Sequence, residues 1–194
     1  MKLNKRKIAE GGLTLLAEGG LQNLSTRKLA EHFGIKSASL YYHFKNKQQL
    51  LDHVADVMVR PAWRPPGPEE RWQDWLVDLG LRLRSRILAY PDGALIYAGA
   101  SPPVDLEKET VDMLYAPMMR VGFSRGDTRF VIFTVIRFTI GWAADEQVAH
   151  SRGADRPSDL SEHGFDFGLR TIVRGAEARL LEEAAEAAAA RRPD

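Results

Sequence analysis

The 194-residue sequence contains no cysteine. This excludes disulfides, thiolate zinc sites, iron–sulfur clusters and cysteine nucleophiles, and a reducing, cytoplasmic setting is expected. Its five histidines are scattered at 32, 43, 53, 150 and 163, without the spacing that brings ligands together on a helix. No Ser/His/Asp set, paired carboxylates or phosphate-binding loop stands out, so neither enzymatic activity nor a metal or cofactor is expected. Strand-like alternation is absent, as is any internal repeat. The one long apolar run, residues 130–144, spans 15 residues with Arg137 as its only charge. That is too short and too interrupted for a membrane span; it reads as a central helix covered on several sides. Residues 1–7 are basic but lead into Ile8-Ala-Glu-Gly-Gly12 rather than an apolar stretch, so no secretory signal is expected.

What is present is ordinary for a globular chain, with 44% hydrophobic and 27% charged residues. The net charge of +1 conceals an asymmetry: residues 1–50 carry +6 and the rest −5. A basic module tethered to an acidic one suits a nucleic-acid contact at one end.

Nearly every segment has helical period, which predicts an all-α protein. A first helix carries Ile8, Leu15 and Leu16 on one face and ends at Gly19-Gly20; its internal Gly11 and Gly12 cost about 1 kcal/mol each against alanine, so packing must hold it. Ser25 is the expected N-cap of a second helix that runs through Phe33 and stops at Gly34. A third covers residues 37–44. Asn46 caps a fourth, with Leu50, Leu51, Val54, Val57 and Met58 as its apolar stripe. Residues 60–68 hold four prolines and a glycine, which marks a linker. The expected division is therefore a helix-turn-helix domain at 1–46, a linking helix and Pro-rich linker at 47–68, and a ligand-binding and dimerisation domain at 69–194. Within the last, helices are expected over 69–89, from near Asp105 to 121–122 with Pro117 kinking its last turns or marking a break, around the apolar run, and from 162 onward after a polar loop at 151–161. The Ala/Glu-rich tail reads as a frayed helix without an assigned role.

The most informative stretch is 24–47. Two short helices joined by Gly34-Ile35-Lys36 follow the helix-turn-helix plan, with Leu29, Ala30, Phe33, Ile35, Leu40 and Phe44 as a shared small core. The outer face of the second helix then presents Ser37, Ala38, Ser39, Tyr41, Tyr42 and His43, flanked by Lys36, Lys45 and Lys47. Hydroxyls and tyrosines suit phosphates and base edges in a major groove, while lysines supply sequence-independent attraction. On these residues, Thr26-Arg27-Lys28-Leu29-Ala30, Gly34-Ile35, Leu40-Tyr41-Tyr42-His43-Phe44 and Lys45-Asn46-Lys47 followed by Leu50-Leu51, the sequence resembles the tetracycline repressor (TetR) family of transcriptional regulators. The segments Trp72-Gln73-Asp74, Asp92-Gly93-Ala94, Gly122-Phe123-Ser124 and Phe138-Thr139-Ile140-Gly141 resemble the regulatory domain of the tetracycline-sensing subfamily in order and spacing.

The resemblance implies a homodimeric repressor on double-stranded operator DNA. It implies that Arg27 reads a base, that Ser37, Ala38 and Ser39 face bases, that Tyr41, Tyr42 and His43 hold phosphates or methyl groups, and that Lys47 holds a phosphate; Lys28 and Lys36 belong to the same surface. Pairing is expected through helices near 128–149 and 162–188, and a small-molecule effector is expected in the larger domain. In the tetracycline-sensing members a histidine and a threonine that handle magnesium, and an asparagine and phenylalanine that hold the drug, correspond to Tyr97, Ala100, Leu79 and Leu83 here; a further histidine corresponds to Trp63. Neutral tyrosine is a poor magnesium ligand, so a magnesium–tetracycline complex is not the expected effector. Trp63, Leu79, Leu83, Tyr97, Ala100, Met113, Leu114, Ile136, Arg137, Trp142 and Asp145 are the candidate walls of a more apolar, aromatic pocket, suited to an aromatic or polycyclic ligand. Arg137 is available either to an acidic group of that ligand or to Asp145 or Glu146.

Overall fold

A computed structural model describes residues 3–101, 108–153 and 158–189, and among these all regular structure is helical. The helices are α1 (Lys5–Asn23), α2 (Thr26–Phe33), α3 (Ser37–Leu40), α4 (Lys47–Val59), α5 (Trp72–Leu88), α6 (Gly93–Gly99), α7 (Lys108–Met119), α8 (Arg125–Ser151) and α9 (Ser158–Ala189). A helix-turn-helix unit at the N-terminus is followed by a larger helical domain.

The starts of these helices are written in their caps. Asn4, Ser25, Asn46 and Ser124 each accept, on the side chain, a backbone N–H three residues ahead. At α4 the arrangement is reciprocal, because Gln49 accepts the Lys45 N–H at 2.8 Å. Gly34 closes α2 in the left-handed conformation (φ 64°), and its N–H reaches back to Ala30 and Glu31.

The two glycines inside α1 mark close approaches. A Cβ on Gly12 would stand 2.7 Å from Val54 on α4, and one on Gly11 would stand 2.5 Å from the Phe33 ring. The packing gained where α1 meets α2 and α4 therefore offsets the low helix propensity of these positions. At Gly19 and Gly20 the backbone leaves helical geometry, as the Gly-Gly pair predicts, although the turn continues to Asn23.

Four elements differ from expectation. The third helix is regular only to Leu40; beyond it the chain tightens into three-residue turns, Tyr41 to Ala38 and His43 to Leu40, which bring Phe44 into the core. The large-domain helix begins at Trp72 rather than Glu69, because Glu70 is engaged by the linker. A short helix, α6, follows the Tyr90-Pro91-Asp92-Gly93 turn where only a stop was expected. The helix expected to reach 121–122 ends at Met119, two residues after Pro117, so of the two expected effects of this proline it is the break that is seen. The expected start near Asp105 lies outside the described residues, as do 154–157 of the polar loop and the final residues of the tail.

Two apolar clusters form the interior. One joins α1, α2 and α4 and continues without a break to Leu83, Ile87, Ile96 and Ile140 of the larger domain. The other surrounds Trp75, Leu76, Met118, Phe165 and Leu169 on α5, α7 and α9, with Ile132 and Val135 of α8. The linker is held by Arg64, whose guanidinium bridges Glu70 and Asp78 at 2.6–2.7 Å. No described helix is long and apolar enough to cross a membrane.

Candidate DNA interface and effector cavity

In the N-terminal unit, the residues expected to stay inside do so: Leu29, Ala30, Leu40 and Phe44 are buried. The outer face of α3 and the turn after it carries no core duty. Tyr42 is 90% exposed and Tyr41 58%, which rules out a packing role for either ring. Ser37, Ser39 and His43 are half-buried, whereas Ala38, Lys36, Lys45 and Lys47 are exposed. Arg27 of α2 is exposed, in only a loose surface pair with Glu31 at 3.7 Å. The Lys28 ammonium is bonded to the Asn23 side chain. One cation-lined surface thus presents three small side chains at the start of a helix, followed by two free phenols.

A second site lies inside the larger domain, a cavity of about 170 Å³ between α4, α6, α7 and α8. Of the expected wall residues, Trp63, Tyr97, Ala100, Leu114, Ile136 and Arg137 line it. Leu79 and Leu83 lie in the packed interior instead, and Met113 sits beside the second cluster. Trp142 packs with Phe138 and Phe165 between α8 and α9, and Asp145 is exposed on α8. The inner face of α4, with Asp52, Ala55, Asp56 and Val59, completes the wall and was missed in the sequence. The signal was there: acidic residues at i and i+4 on the flank of an apolar stripe, a costly pattern for a helix buried by its neighbours.

The cavity's polar groups are few. Asp56, 9% exposed, is held by Arg60 at 2.6 Å. Asp52 accepts from the Gln48 side chain at 2.9 Å and from the Ser101 N–H at 3.1 Å. Burial pushes the Tyr97 phenol well above its ordinary range, against the pull of nearby Arg137, so it stays protonated. Among the described residues no group of three or more His, Asp or Glu could hold a metal ion.

The cavity is wired to the N-terminal unit at both ends of α6. At the C-terminal end, Gln48 of α4 also donates to the Gly99 carbonyl at 3.0 Å. At the other end, the Leu21 N–H donates to Asp92 at 2.8 Å, while Gln147 of α8 accepts the Ala94 N–H at 3.1 Å and donates to the Tyr90 carbonyl at 2.8 Å. The far end of α4 is fixed to α5: Arg86 donates to the Met58 carbonyl at 3.1 Å and Arg82 to the Pro61 carbonyl at 2.6 Å. These cations cap otherwise unpaired carbonyls at the end of α4. So α4, about 20 Å long, connects α5 at its C-terminal end to the DNA-facing helices at its N-terminal end.

One face of α8 lacks cover. Phe130, Thr134, Arg137, Gly141, Asp145 and Val148, spaced three and four apart, are exposed, and Phe167 and Leu181 on α9 are 75% and 66% exposed.

Comparison with known proteins agrees with this architecture. Residues 8–54 match the family described as bacterial regulatory proteins, tetR family, and residues 64–164 match the tetracyclin repressor-like C-terminal domain. The chain is 36% identical to the class A tetracycline repressor protein from transposon 1721 of Escherichia coli, over 89% of this chain and 80% of that protein. A glutamine-to-alanine variant of TetR from Acinetobacter baumannii AYE, solved with minocycline, superposes with a TM-score of 0.80 at 31% identity, covering 92% of this chain and 99% of the other. BioQ solved with its double-stranded DNA operator gives a TM-score of 0.69 at 29% identity, covering 90% and 98%.

Proposed function

The chain belongs to the tetR family of bacterial regulatory proteins, DNA-binding transcriptional regulators, and we propose that it is a cytoplasmic repressor that dimerises on a palindromic operator and is released by a small aromatic or polycyclic effector. The observation that carries the DNA half is the bare outer face of α3, where Tyr41 and Tyr42 project into solvent within a ring of lysines. The fit of the BioQ complex supports duplex DNA as the target. In this reading Arg27, Ser37, Ala38 and Ser39 contact bases, Tyr41, Tyr42 and His43 contact phosphates or methyl groups, Lys47 contacts a phosphate, and Lys28 and Lys36 add general attraction. The working division is a DNA-binding domain at 1–46, a linking segment at 47–68 and an effector and dimerisation domain at 69–194.

The uncovered faces of α8 and α9 pair with those of a second copy as a four-helix bundle, which places two recognition helices on successive turns of the major groove, about 34–36 Å apart. The effector occupies the cavity. It is not a magnesium–tetracycline complex, because Tyr97 and Ala100 offer no magnesium ligand there. Binding moves the C-terminal end of α6, and with it Gln48, Asp52 and the N-terminal end of α4, which acts as a lever on the DNA-facing helices. A complete switch between binding and released states needs roughly 10⁴-fold preference of the effector for one of them, about 5.5 kcal/mol.

The test is selection of duplexes from a random pool by the purified protein, followed by sequencing. Enrichment of a two-fold symmetric sequence is expected; recovery of no sequence at low salt overturns the proposal.

A further inference from the structure

We propose that the effector is a monoanion, an aromatic body bearing one carboxylate or similar acidic group, held by the Arg137 guanidinium and the Tyr97 hydroxyl. This rests on the cavity being the effector site and adds the charge class of its occupant.

The inference follows from which polar groups of the cavity are already satisfied. Its two carboxylates both have partners: Asp56 is bonded to Arg60, and Asp52 takes the Gln48 side chain and the Ser101 N–H. Arg137 has neither a hydrogen bond nor an ion pair with any described residue. The acids on its own helix do not reach it, Asp127 lying almost three turns before it. Glu146 is gripped by both arms of Arg84 at 2.5 and 2.8 Å, and Asp145 lies about two turns further along α8. Tyr97, facing the same cavity from α6, has no hydrogen-bond partner among the described residues either.

The space therefore offers two donors without a partner, the Arg137 guanidinium and the Tyr97 hydroxyl, inside walls formed by Trp63, Leu114, Ile132, Ile136 and Ile140. An uncharged ligand leaves the guanidinium without a counter-charge, and a cation is repelled by it. A single negative charge satisfies both donors at once with charge-assisted hydrogen bonds. A second negative charge would face Asp52 and Asp56 across the cavity without a cation to meet it.

Two dyes that share one ring system separate charge from shape: anilinonaphthalene sulfonate, which is anionic, and phenylnaphthylamine, which is not. Fluorescence titration of the full chain is expected to show the sulfonate binding about tenfold more tightly than the uncharged dye. Arg137→Met removes that preference and leaves the uncharged dye unaffected, Arg137→Lys keeps part of it, and Tyr97→Phe loses about threefold for the sulfonate alone. Ala100→Trp, which fills the cavity, abolishes both, while circular dichroism and sedimentation confirm that each variant keeps its fold and association state.

Equal binding of the two dyes in wild type, or an unchanged preference in Arg137→Met, overturns the monoanion while leaving the cavity as effector site. Binding of neither dye, or binding that Ala100→Trp does not disturb, overturns both.

Discussion

The Asp92 carboxylate accepts the backbone N–H of Leu21 at 2.8 Å across 71 residues of sequence, tying the turn before α6 to the end of α1. Both partners hold unusual backbone. Asp92 is the one non-glycine with positive φ among the described residues (57°), and Gly20 beside Leu21 has φ 67°, with space for a Cβ only 2.5 Å from the Asp92 oxygen. Aspartate tolerates this conformation better than most residues, and glycine adopts it freely. Together they hold the DNA-facing helices to the fixed, Gln147-bound end of α6, while Gln48 and Asp52 read its other end.

Asp92→Gly separates this bond from backbone strain, since glycine is at ease where Asp92 sits. Removing a hydrogen bond to a charged group raises amide exchange at Leu21 about tenfold and weakens operator binding, with little change in global melting. Hydrogen exchange with mass spectrometry checks this; unchanged protection at Leu21 contradicts it.

Phe130 and Phe167, 69% and 75% exposed in the single chain, are expected to become core in the proposed dimer. Wild type is expected to sediment as a dimer at micromolar concentration. Phe167→Glu buries an unpaired charge there and weakens association by more than about tenfold without altering helix content. A wild-type monomer, or an unaffected variant, contradicts the pairing.

Glu70 secures the proline-rich linker. Its hydrogen bond from Arg64, helped by the Gly67 N–H, lowers its carboxyl pKa from 4.5 to about 2. A depressed folded-state pKa means the bridge stabilises the fold fully above pH 4.5 and that this contribution disappears as pH falls toward 2. Glu70→Gln should therefore melt about 2–4 °C lower at neutral pH, equivalent to roughly 1 kcal/mol for a partly exposed bridge. The gap between wild type and variant closes on acidification through that window. A gap that is constant with pH rules the linkage out.

Much of this architecture is legible in the sequence, because helical period, caps and turn glycines act locally. Ser25, Gly34 and Asn46 each announce a boundary that the fold respects, and the DNA-facing side chains follow from spacing on one short helix. The cavity is less legible, because its walls come from four helices and depend on how those helices cross. Leu79, Leu83 and Trp142 have the character of wall residues, yet helix packing directs them into the interior, whereas Asp52 and Asp56 read as a solvated edge until α6 closes over them. The pairing of Glu146 with Arg84, a contact spanning 62 residues, is likewise revealed by no local pattern.

The most direct measurement is titration of the protein into the selected duplex by fluorescence anisotropy at several salt concentrations. Two chains per duplex are expected, with affinity falling steeply and linearly in log–log form as salt rises, and far weaker binding to a duplex of the same composition in scrambled order. Equal affinity for the scrambled duplex, or one chain per site, would contradict a dimeric operator-binding regulator.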